Sequence, residues 1–582
     1  MDAFAKEPVS NGRIAAALEE IADLLEIEDE NAFRVRAYRH GARVVRGSAR
    51  GFADMVALGE DLADLPGIGT SLAEKIEELV RTGRLAYLDQ VEGRTAPGLR
   101  ELLGLPGLGP RKVKALRDGL GITTLEQLES AVMRSRVRGV PGFGAKTEAR
   151  ILASLEHLHR RPVPHVLWPA AEPLVLALTR HMERIPGVTR VAAAGDYRRL
   201  RETVDRIELL VAAGRDARAT ERLLEYEGTD RVVSRSAKRV KVVLRNGLSV
   251  DLHMVPARSF GAALFAHTGS DDHVATVRRF ASKQGLALDE RGVFRGDARI
   301  AGRTERELYE SVGLGYIEPE LREDRGEVEA ARAGALPELL TVADIRGDLH
   351  VHTSVTNGRD SPRAMVDAAA EHGYEYVAIT EHTASARVSH GLDAERMARH
   401  LDRIELLNDR QDRIRILKSA EVDILKDGSL DLPRRILDRL DFTVSAIHSY
   451  FDLSAAPQTE RILRAMDDPH LSILAHPTGR LIDRRDPYAV DFERILAAAA
   501  ERHCALEINA QPERCDLSDV LARAARDAGV ALVVATDAHR KEQLDFMRLG
   551  VGQARRAWLT AHDVLNTRSW KDLERFFAQR RR

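Results

Sequence analysis

A chain of 582 residues is too long for one hydrophobic core, so three or four domains are expected. Its makeup is that of an ordinary globular protein, and a formal net charge of -2 excludes a global electrostatic case for nucleic acid, leaving only local ones. Two cysteines, Cys504 and Cys515, cannot staple a protein of this size. Together with an N-terminus lacking an apolar core and the absence of a membrane-length apolar run, they point to a cytoplasmic protein with no membrane partner.

To about residue 160 the pattern is helical, with periodic Leu, Ile and Ala between Pro–Gly turns. Three segments share one form: Leu65-Pro66-Gly67-Ile68-Gly69, Leu105-Pro106-Gly107-Leu108-Gly109 and Val140-Pro141-Gly142-Phe143-Gly144. Two glycines around one apolar residue permit a tight turn that aims the first N–H groups of the next helix outward, where they can hold a phosphate. Arg111, Lys112 and Lys114, and later Lys146 and Arg150, add an attraction that ignores base sequence. A single copy is ordinarily a plain helix–helix turn, but three copies favour a grip on DNA. They resemble helix-hairpin-helix motifs, which implies binding without sequence preference. The stretch Asn31-Ala32-Phe33-Arg34-Val35-Arg36-Ala37-Tyr38 fits either a solvated helix face or a DNA-facing one.

Strand-like runs follow from about residue 163. Arg206-Ile207-Glu208-Leu209-Leu210-Val211 alternates as a half-buried strand should. A carboxylate at every second position would form a cation-binding face, yet one of the two places holds Arg206. Asn246-Gly247 between alternating segments in 241–255 predicts a hairpin. Residues 318–344 are charged, Ala-rich and Pro-punctuated, as a linker would be.

Beyond Asp348, short apolar strands alternate with helical stretches, which predicts a parallel sheet or barrel. Polar clusters close nearly every apolar run: Asp348-Leu349-His350-Val351-His352, Thr380-Glu381-His382, Glu421-Val422-Asp423, Ile447-His448-Ser449, Ala475-His476-Pro477 and Thr536-Asp537-Ala538-His539. Strand C-termini converge on one rim of such a barrel. A lone histidine there is usually structural, whereas six sites in consecutive βα units argue for a multinuclear metal centre.

Hairpin motifs, then Gly195-Asp196-Tyr197-Arg198-Arg199 with Glu202-Thr203, then a His-rich βα domain is an order that resembles the bacterial family X DNA polymerases with a C-terminal PHP (polymerase and histidinol phosphatase) domain. The resemblance covers nearly the whole chain and includes Leu321-Arg322-Glu323-Asp324-Arg325-Gly326-Glu327. It implies a multidomain fold: all-α helix-hairpin-helix N-terminal domains, an α+β nucleotidyltransferase-like palm and thumb, and a C-terminal α/β PHP domain built as a distorted βα barrel. The expected boundaries are 1–90 and 91–162 for the two hairpin domains, 163–317 for palm and thumb, 318–345 for the linker and 346–582 for the PHP domain.

In the family pattern the paired polymerase carboxylates fall on Arg206 and Glu208, and the third on Asp251. Nucleotidyl transfer needs two divalent cations held there, so Arg206 places a permanent cation where a ligand belongs. Asp205 replaces it only if the strand slips or bulges. The triphosphate loop, Gly-Ser in the family, is Gly195-Asp196, and the aromatic pair before Thr268-Gly269-Ser270 is Ala266-His267. Arg199 remains as a candidate contact to nucleotide phosphate. These clustered changes imply lost or weakened polymerase chemistry, with Mg²⁺ at the palm only if that chemistry survives. Lys75 falls where some members carry a Schiff-base lysine, and a phosphate contact is the alternative.

The PHP pattern carries metal ligation to His350, His352, His382, Glu421, His448, His476, Asp537 and His539. A ninth position is Asn357, a poorer ligand, with Asp360 as a candidate replacement; Glu381 is expected to support the ligands from behind. Two or three divalent ions (Zn, Mn or Fe) are implied, turning water into a nucleophile toward phosphorus. Arg480 is either a phosphate contact or a surface residue.

The leading expectation is a monomeric bacterial DNA-repair phosphoesterase, nucleoid-associated, that trims 3′ ends or cuts abasic sites. Its substrates would be gapped, nicked or abasic DNA held by the hairpins. The alternatives are an active gap-filling polymerase with atypical carboxylates, a non-catalytic DNA-binding scaffold, and a small-phosphate-ester hydrolase, which leaves three hairpins unexplained.

Overall fold

Amphipathic helices between the Pro–Gly turns build the N-terminal part. The structure, a computed structural model, describes residues 9, 11–48, 50–95, 99, 102–103, 108–124, 127–128, 131–132, 136–144, 147–148, 151, 165–214, 218–386 and 389–580. Two compact units divide the chain, Met1–Val163 and Pro164–Arg582. Among the described residues, no helix is long and apolar enough to cross a membrane.

In the first unit, helix Asn11–Ile27 buries Ile14, Leu18, Ile21 and Leu25, one face at helical spacing. That face packs on Val35, Tyr38, Ala42 and Val45 of helix Ala32–Gly47 and on Ile68, Leu72 and Ile76 around the first Gly-x-Gly turn. A second core gathers Leu99, Leu102, Val113, Leu116, Ile122, Leu128 and Val140 around the second and third turns. The first core runs to Val91, and apart from Ile27 the second begins at Leu99.

The second unit opens with a short pairing of β1 (Val166–Leu167) with β3 (Thr203–Val204). Next comes a five-stranded sheet of β2 (Val188–Ala194), β4 (Arg206–Ala213), β7 (Ser249–Val255), β6 (Arg239–Leu244) and β5 (Thr229–Arg235), in that spatial order. Asn246-Gly247 makes the β6–β7 turn, with Gly247 at φ 86°. Strand β4 departs from the half-buried expectation, because residues 207–212 are all buried. Ile207, Leu209 and Val211 face one core, while Leu210 and Ala212 face helix Phe260–Thr268. That helix covers the face expected to be open to solvent. The thumb region follows, with helices Phe260–Thr268 and Asp271–Ser282 beside a small sheet of β8 (Ala287–Asp289), β9 (Gly292–Arg295) and β10 (Ala298–Ala301).

Residues 318–345, expected as a linker, form an ordered bracket around helix Glu327–Ala333. Arg322 is fully buried and donates to Glu305 at 2.5 Å, and Arg198 donates to the same carboxylate at 2.6 and 2.8 Å. Burial alone would raise the Glu305 pKa, but Arg322 and Arg198 outweigh it and hold the carboxyl down at about 2. Glu305→Gln leaves Arg322 buried without its anion and is expected to cost about 3–5 kcal/mol at neutral pH. Because the folded pKa is depressed, this stability is complete above the ordinary 4.5 and is lost as pH falls through about 2. Wild type and variant should therefore converge across that window. All three tryptophans, Trp168, Trp558 and Trp570, lie in this unit, so their fluorescence during urea unfolding reads the effect.

The rest of the chain is a seven-stranded parallel sheet in sequential order: β11 (Gly347–Val351), β12 (Tyr376–His382), β13 (Arg415–Asp423), β14 (Val444–Ala446), β15 (Ile473–Leu474), β16 (Ala505–Asn509) and β17 (Leu532–Ala535). A parallel bridge between Val351 and Ala538 nearly closes it into a barrel, with His352 N–H donating to Ala538 C=O at 2.8 Å. Leu349, Tyr376, Ala378, Leu417, Val444, Ile473, Ala505 and Val533 share one core with Leu573 and Phe577 of the C-terminal helix Trp570–Arg580. A second core, including Val377, Ile379, Ile416, Val422, Leu474, Leu506 and Val534, lies between the sheet and the helices around it. The strand C-termini are thus left to build the site.

Candidate metal centre and the remodelled palm

Strand parity sets the PHP site. Leu417, Ser419 and Glu421 alternate on one face of β13, and Ala505, Glu507 and Asn509 do the same on β16. On β11 the pairing register shifts between Asp348 and Val351. His448, His476, Asp537 and His539 follow the ends of β14, β15 and β17.

Glu421 is the hub. Its Oε1 lies 2.9 Å from His476 Nε2 and 3.2 Å from His448 Nε2, and its Oε2 lies 2.7 Å from His382 Nδ1 and 3.4 Å from His352 Nε2. Asp537 Oδ1 lies 3.2 Å from His352 Nε2, and the Nε2 atoms of His350 and His352 are 3.1 Å apart. Three sets of donor atoms are each close enough to share an ion: His350, His352 and Asp537; His352, His382 and His539; and His382, Glu421 and His448. His352 and His382 belong to two sets each, so the sets are contiguous.

Burial opposes charge throughout, yet the histidines around Glu421 and Asp537 hold both carboxyls well below the ordinary range. Conversely, despite burial, Glu507, Asp537 and Glu421 raise His350 well above its usual value, whereas burial and the neighbouring His539 and His382 depress His352.

The supporting residues are equally defined. Glu507 accepts from His350 Nδ1 at 2.7 Å and from the His476 N–H at 2.7 Å. Asp423 pairs with His448 Nδ1 at 2.7 Å, and Asn509 donates to both Glu507 and Asp537 at 3.1 Å. Glu381 takes the hydroxyls of Thr353 and Thr356, and burial pushes its carboxyl up to about 7. Sequence reasoning missed Glu507 and Asn509, which sit inside a run read as an apolar strand. A carboxylate two residues past a buried alanine was the available signal. Asn357 is exposed in the turn after His352 and accepts from Thr356 at 3.4 Å, and Asp360 accepts the Lys541 N–H at 2.9 Å.

Arg480 is not the surface residue that one of the two expectations made it. It donates to Glu202 of the palm at 2.5 Å and to the Arg514 carbonyl at 2.8 Å, with most of its side chain buried. It thereby pins the palm to the PHP domain.

In the palm, β4 and β7 pair in parallel without a slip, which sets Glu208 opposite Asp251 and leaves Asp205 ahead of the strand. Both carboxylates are already engaged. Arg206 donates to Glu208 at 2.7 Å, His267 Nδ1 lies 3.1 Å from the other oxygen, and Arg239 grips Asp251 at 2.5 and 2.8 Å. Burial would raise Glu208, but His267 and Arg206 hold it at about 2. Arg199, expected to meet nucleotide phosphate, is engaged by the protein's own groups. It is buried and donates to Asp196 at 2.5 Å, to Glu323 at 3.0 Å and to the Thr268 carbonyl at 2.7 Å, while Arg556 of the PHP domain donates to its backbone carbonyl at 3.1 Å. The triphosphate loop has become part of the domain seam.

In the first unit, helices Thr70–Thr82 and Pro110–Leu120 start from Gly69 and Gly109 with no side-chain cap, and the Leu72 and Lys112 N–H groups turn back to the Gly69 and Gly109 carbonyls at 2.9 Å. Gly67 and Gly142 have φ of 92° and 86°, and a β-carbon at Gly67 would meet His40 at 2.5 Å. Gly144 lies beside the third turn. Arg111 is exposed and reaches Glu26 at 3.0 Å, and Lys112 sits 5.8 Å from the Phe143 ring. Lys75 donates to the Ser71 hydroxyl at 2.9 Å. Gly107 and Lys146 lie outside the described residues.

Known families match along the chain: a helix-hairpin-helix domain at 9–85, a SAM-like helix-hairpin-helix tandem at 99–156, a DNA polymerase beta thumb at 263–323 and a PHP domain at 348–511. The hairpin and thumb domains mark a DNA-binding protein. The barrel itself runs past the matched PHP segment, since β17, Asp537 and His539 complete the site. The chain is 27% identical to a probable phosphatase of Thermoanaerobacter sp. (strain X514), across 38% of this chain and 89% of that protein. A probable phosphatase of Caldanaerobacter subterraneus subsp. tengcongensis is 26% identical across 33% of this chain and 75% of its own length. The "DNA polymerase/3'-5' exonuclease PolX" of Bacillus subtilis (strain 168) is 36% identical across 97% of this chain and 98% of its own length. With its hairpins, thumb and PHP barrel in that order, the chain belongs to the PolX family of PHP-containing DNA polymerases.

Proposed function

We propose that this protein is a DNA-repair phosphoesterase in which the PHP centre hydrolyses phosphodiester bonds at 3′ ends or abasic sites, with a palm that supports rather than polymerises. The observation carrying this reading is a set of buried donor atoms that lack hydrogen-bond partners among the described residues: His352 Nδ1, His382 Nδ1, Glu421 Oε2 and Asp423 Oδ2. His382 Nδ1 and Glu421 Oε2 are 2.7 Å apart yet do not meet in hydrogen-bond geometry. Two donors that close, neither aimed at the other, fit ligands directed at a common cation.

The residues fit two or three divalent ions of the Zn, Mn or Fe type, held by His350, His352, His382, Glu421, His448, His476, Asp537 and His539. Bound there, such ions supply Lewis acidity and a nucleophilic oxygen at neutral pH. The chain's own groups set orientation. Glu507 and Asp423 each hold one nitrogen of His350 and His448, which fixes the ring face turned to the centre. Asn509 occupies Asp537 Oδ2 and leaves Oδ1 toward His352. His448 and His539 are 23% and 30% exposed at their side chains, far more than the other four histidines of the centre, so the phosphate enters on their side. DNA, gapped, nicked or abasic, is held by the backbone N–H groups after Gly69 and Gly109, and Lys75 is a phosphate contact in this reading. The name of the Bacillus subtilis relative includes a 3′–5′ exonuclease, in keeping with this polarity.

The test is digestion of 3′-ended and abasic duplexes, end-labelled, by protein of measured metal content. Chelation should abolish digestion, and Mn²⁺ or Zn²⁺ should restore it. Inertness of well-metallated wild type toward both DNAs would overturn the proposal in favour of a scaffold.

A further inference from the structure

The palm face on which Arg206 stands in place of one carboxylate also carries two imidazoles. His253 stands on β7, two residues past Asp251 and paired in register with Leu210 of β4. His267 is contributed by helix Phe260–Thr268. Donor atoms of Glu208, His253 and His267 all lie within 4.8 Å of one another, and His267 Nδ1 is 3.1 Å from Glu208 Oε2. The two rings are 4.0 Å apart at 41°, and the three side chains are only 8–15% exposed. Two ligands about 2.1 Å from one ion at a tetrahedral angle sit roughly 3.4 Å apart, which is the scale of this group.

A plain ion-pair role leaves the histidines redundant. Arg206 already occupies Glu208 Oε1, and Arg239 already grips both oxygens of Asp251. Neutralisation is complete without either ring. Carboxylates also line up behind the rings: Asp251 Oδ1 is 3.3 Å from His253 Nε2, and Glu290 Oε1 is 3.8 Å from His267 Nε2. A carboxylate near the second nitrogen is the usual company of a ligating histidine.

We infer that Glu208, His253 and His267 form a second metal site, selective for a borderline transition cation such as Zn²⁺, in place of the polymerase Mg²⁺ site. Two nitrogens and one oxygen suit Zn²⁺, whereas Mg²⁺ demands an octahedral shell of oxygens. The site joins β4, β7 and the first thumb helix, so an ion there rivets palm to thumb across the former nucleotide pocket. It shares no residue with the PHP centre and stands or falls separately from the proposed nuclease.

The experiment uses full-length protein, with Zn²⁺ content per chain measured after desalting. Wild type should carry one ion more than His253→Ala/His267→Ala, and His350→Ala/His352→Ala should keep that ion. In the His350→Ala/His352→Ala background, Co²⁺ should give a tetrahedral absorption band, and Zn²⁺ but not Mg²⁺ should raise the melting temperature. Should the double palm variant not fold, Glu208→Gln and His267→Gln each serve, with Zn²⁺ affinity expected to fall more than about tenfold. Equal metal content in wild type and the folded palm variants, or an unchanged Zn²⁺ affinity in both single variants, overturns the inference.

Discussion

Glu421→Gln is expected to slow hydrolysis of DNA ends by more than 100-fold while leaving affinity for duplex DNA intact. Glu421 Oε1 faces two histidine rings and Oε2 three, so this single side chain meets five of the six histidines of the candidate centre. Glutamine keeps the shape, removes the charge and turns an amide N–H₂ toward two imidazoles. Partners that only orient a ligand typically cost about 10–100-fold when removed. Glu507→Gln, which disturbs His350 through one hydrogen bond, belongs in that range. A residue that meets five of the candidate ligands directly must exceed it, and 100-fold corresponds to about 2.7 kcal/mol of transition-state stabilisation. Turnover of an end-labelled duplex, read beside metal content, separates the two variants. Rates for Glu421→Gln within tenfold of wild type would remove Glu421 from the reaction. DNA affinity should not move, because the glycine turns assigned to DNA lie in the other compact unit.

Much of this was legible because the signals are periodic. Gly-x-Gly before an amphipathic run, and histidines closing successive apolar strands, depend only on local spacing. Sequential strand order then brings those strand ends to one rim. What escaped the sequence depends on long-range packing. Arg480 and Glu202 are 278 residues apart and Arg199 and Glu323 are 124 apart, so neither pairing leaves a local mark. By sequence Arg199 is a candidate phosphate contact and Arg480 either that or a surface residue, because charge near a motif is the available clue. Glu507 and Asn509 were hidden by the apolar residues between and around them. Strand β4 looked half-buried because its own alternation says nothing of the thumb helix that covers Leu210 and Ala212. The 318–345 segment looked like a linker by composition, yet Arg322 and Glu327 are buried in their folded surroundings.

Primer extension on gapped DNA with Mg²⁺ or Mn²⁺ is expected to be absent, and Arg206→Asp alone should not restore it. The arginine substitution is the visible defect, but the structure shows it embedded in others. A divalent ion between Glu208 Oε1 and Asp251, the side that both guanidiniums hold, is opposed by each at about 4 Å by roughly 2 kcal/mol in bulk water and roughly 8 kcal/mol at an effective dielectric of 20; both Arg206 and Arg239 are more than half exposed, which favours the lower end, and the imidazole side of Glu208 lies at its other oxygen. Removing Arg206 leaves Arg239 chelating Asp251, so the third carboxylate is still engaged. His267 remains on Glu208, and the triphosphate loop still presents Asp196 instead of a hydroxyl. Arg199, the loop residue expected to meet phosphate, is held by Asp196, Glu323 and the Thr268 carbonyl, and freeing it would dismantle the seam with the PHP domain. Restoration should therefore require Arg206→Asp, Arg239→Ala and His267→Tyr together with Asp196→Ser. Extension by wild type that disappears in both Glu208→Ala and Asp251→Ala would reverse this conclusion, since it would mean that both arginines yield to the metal ions. Without such extension, the palm sheet serves as the frame on which the PHP centre is mounted.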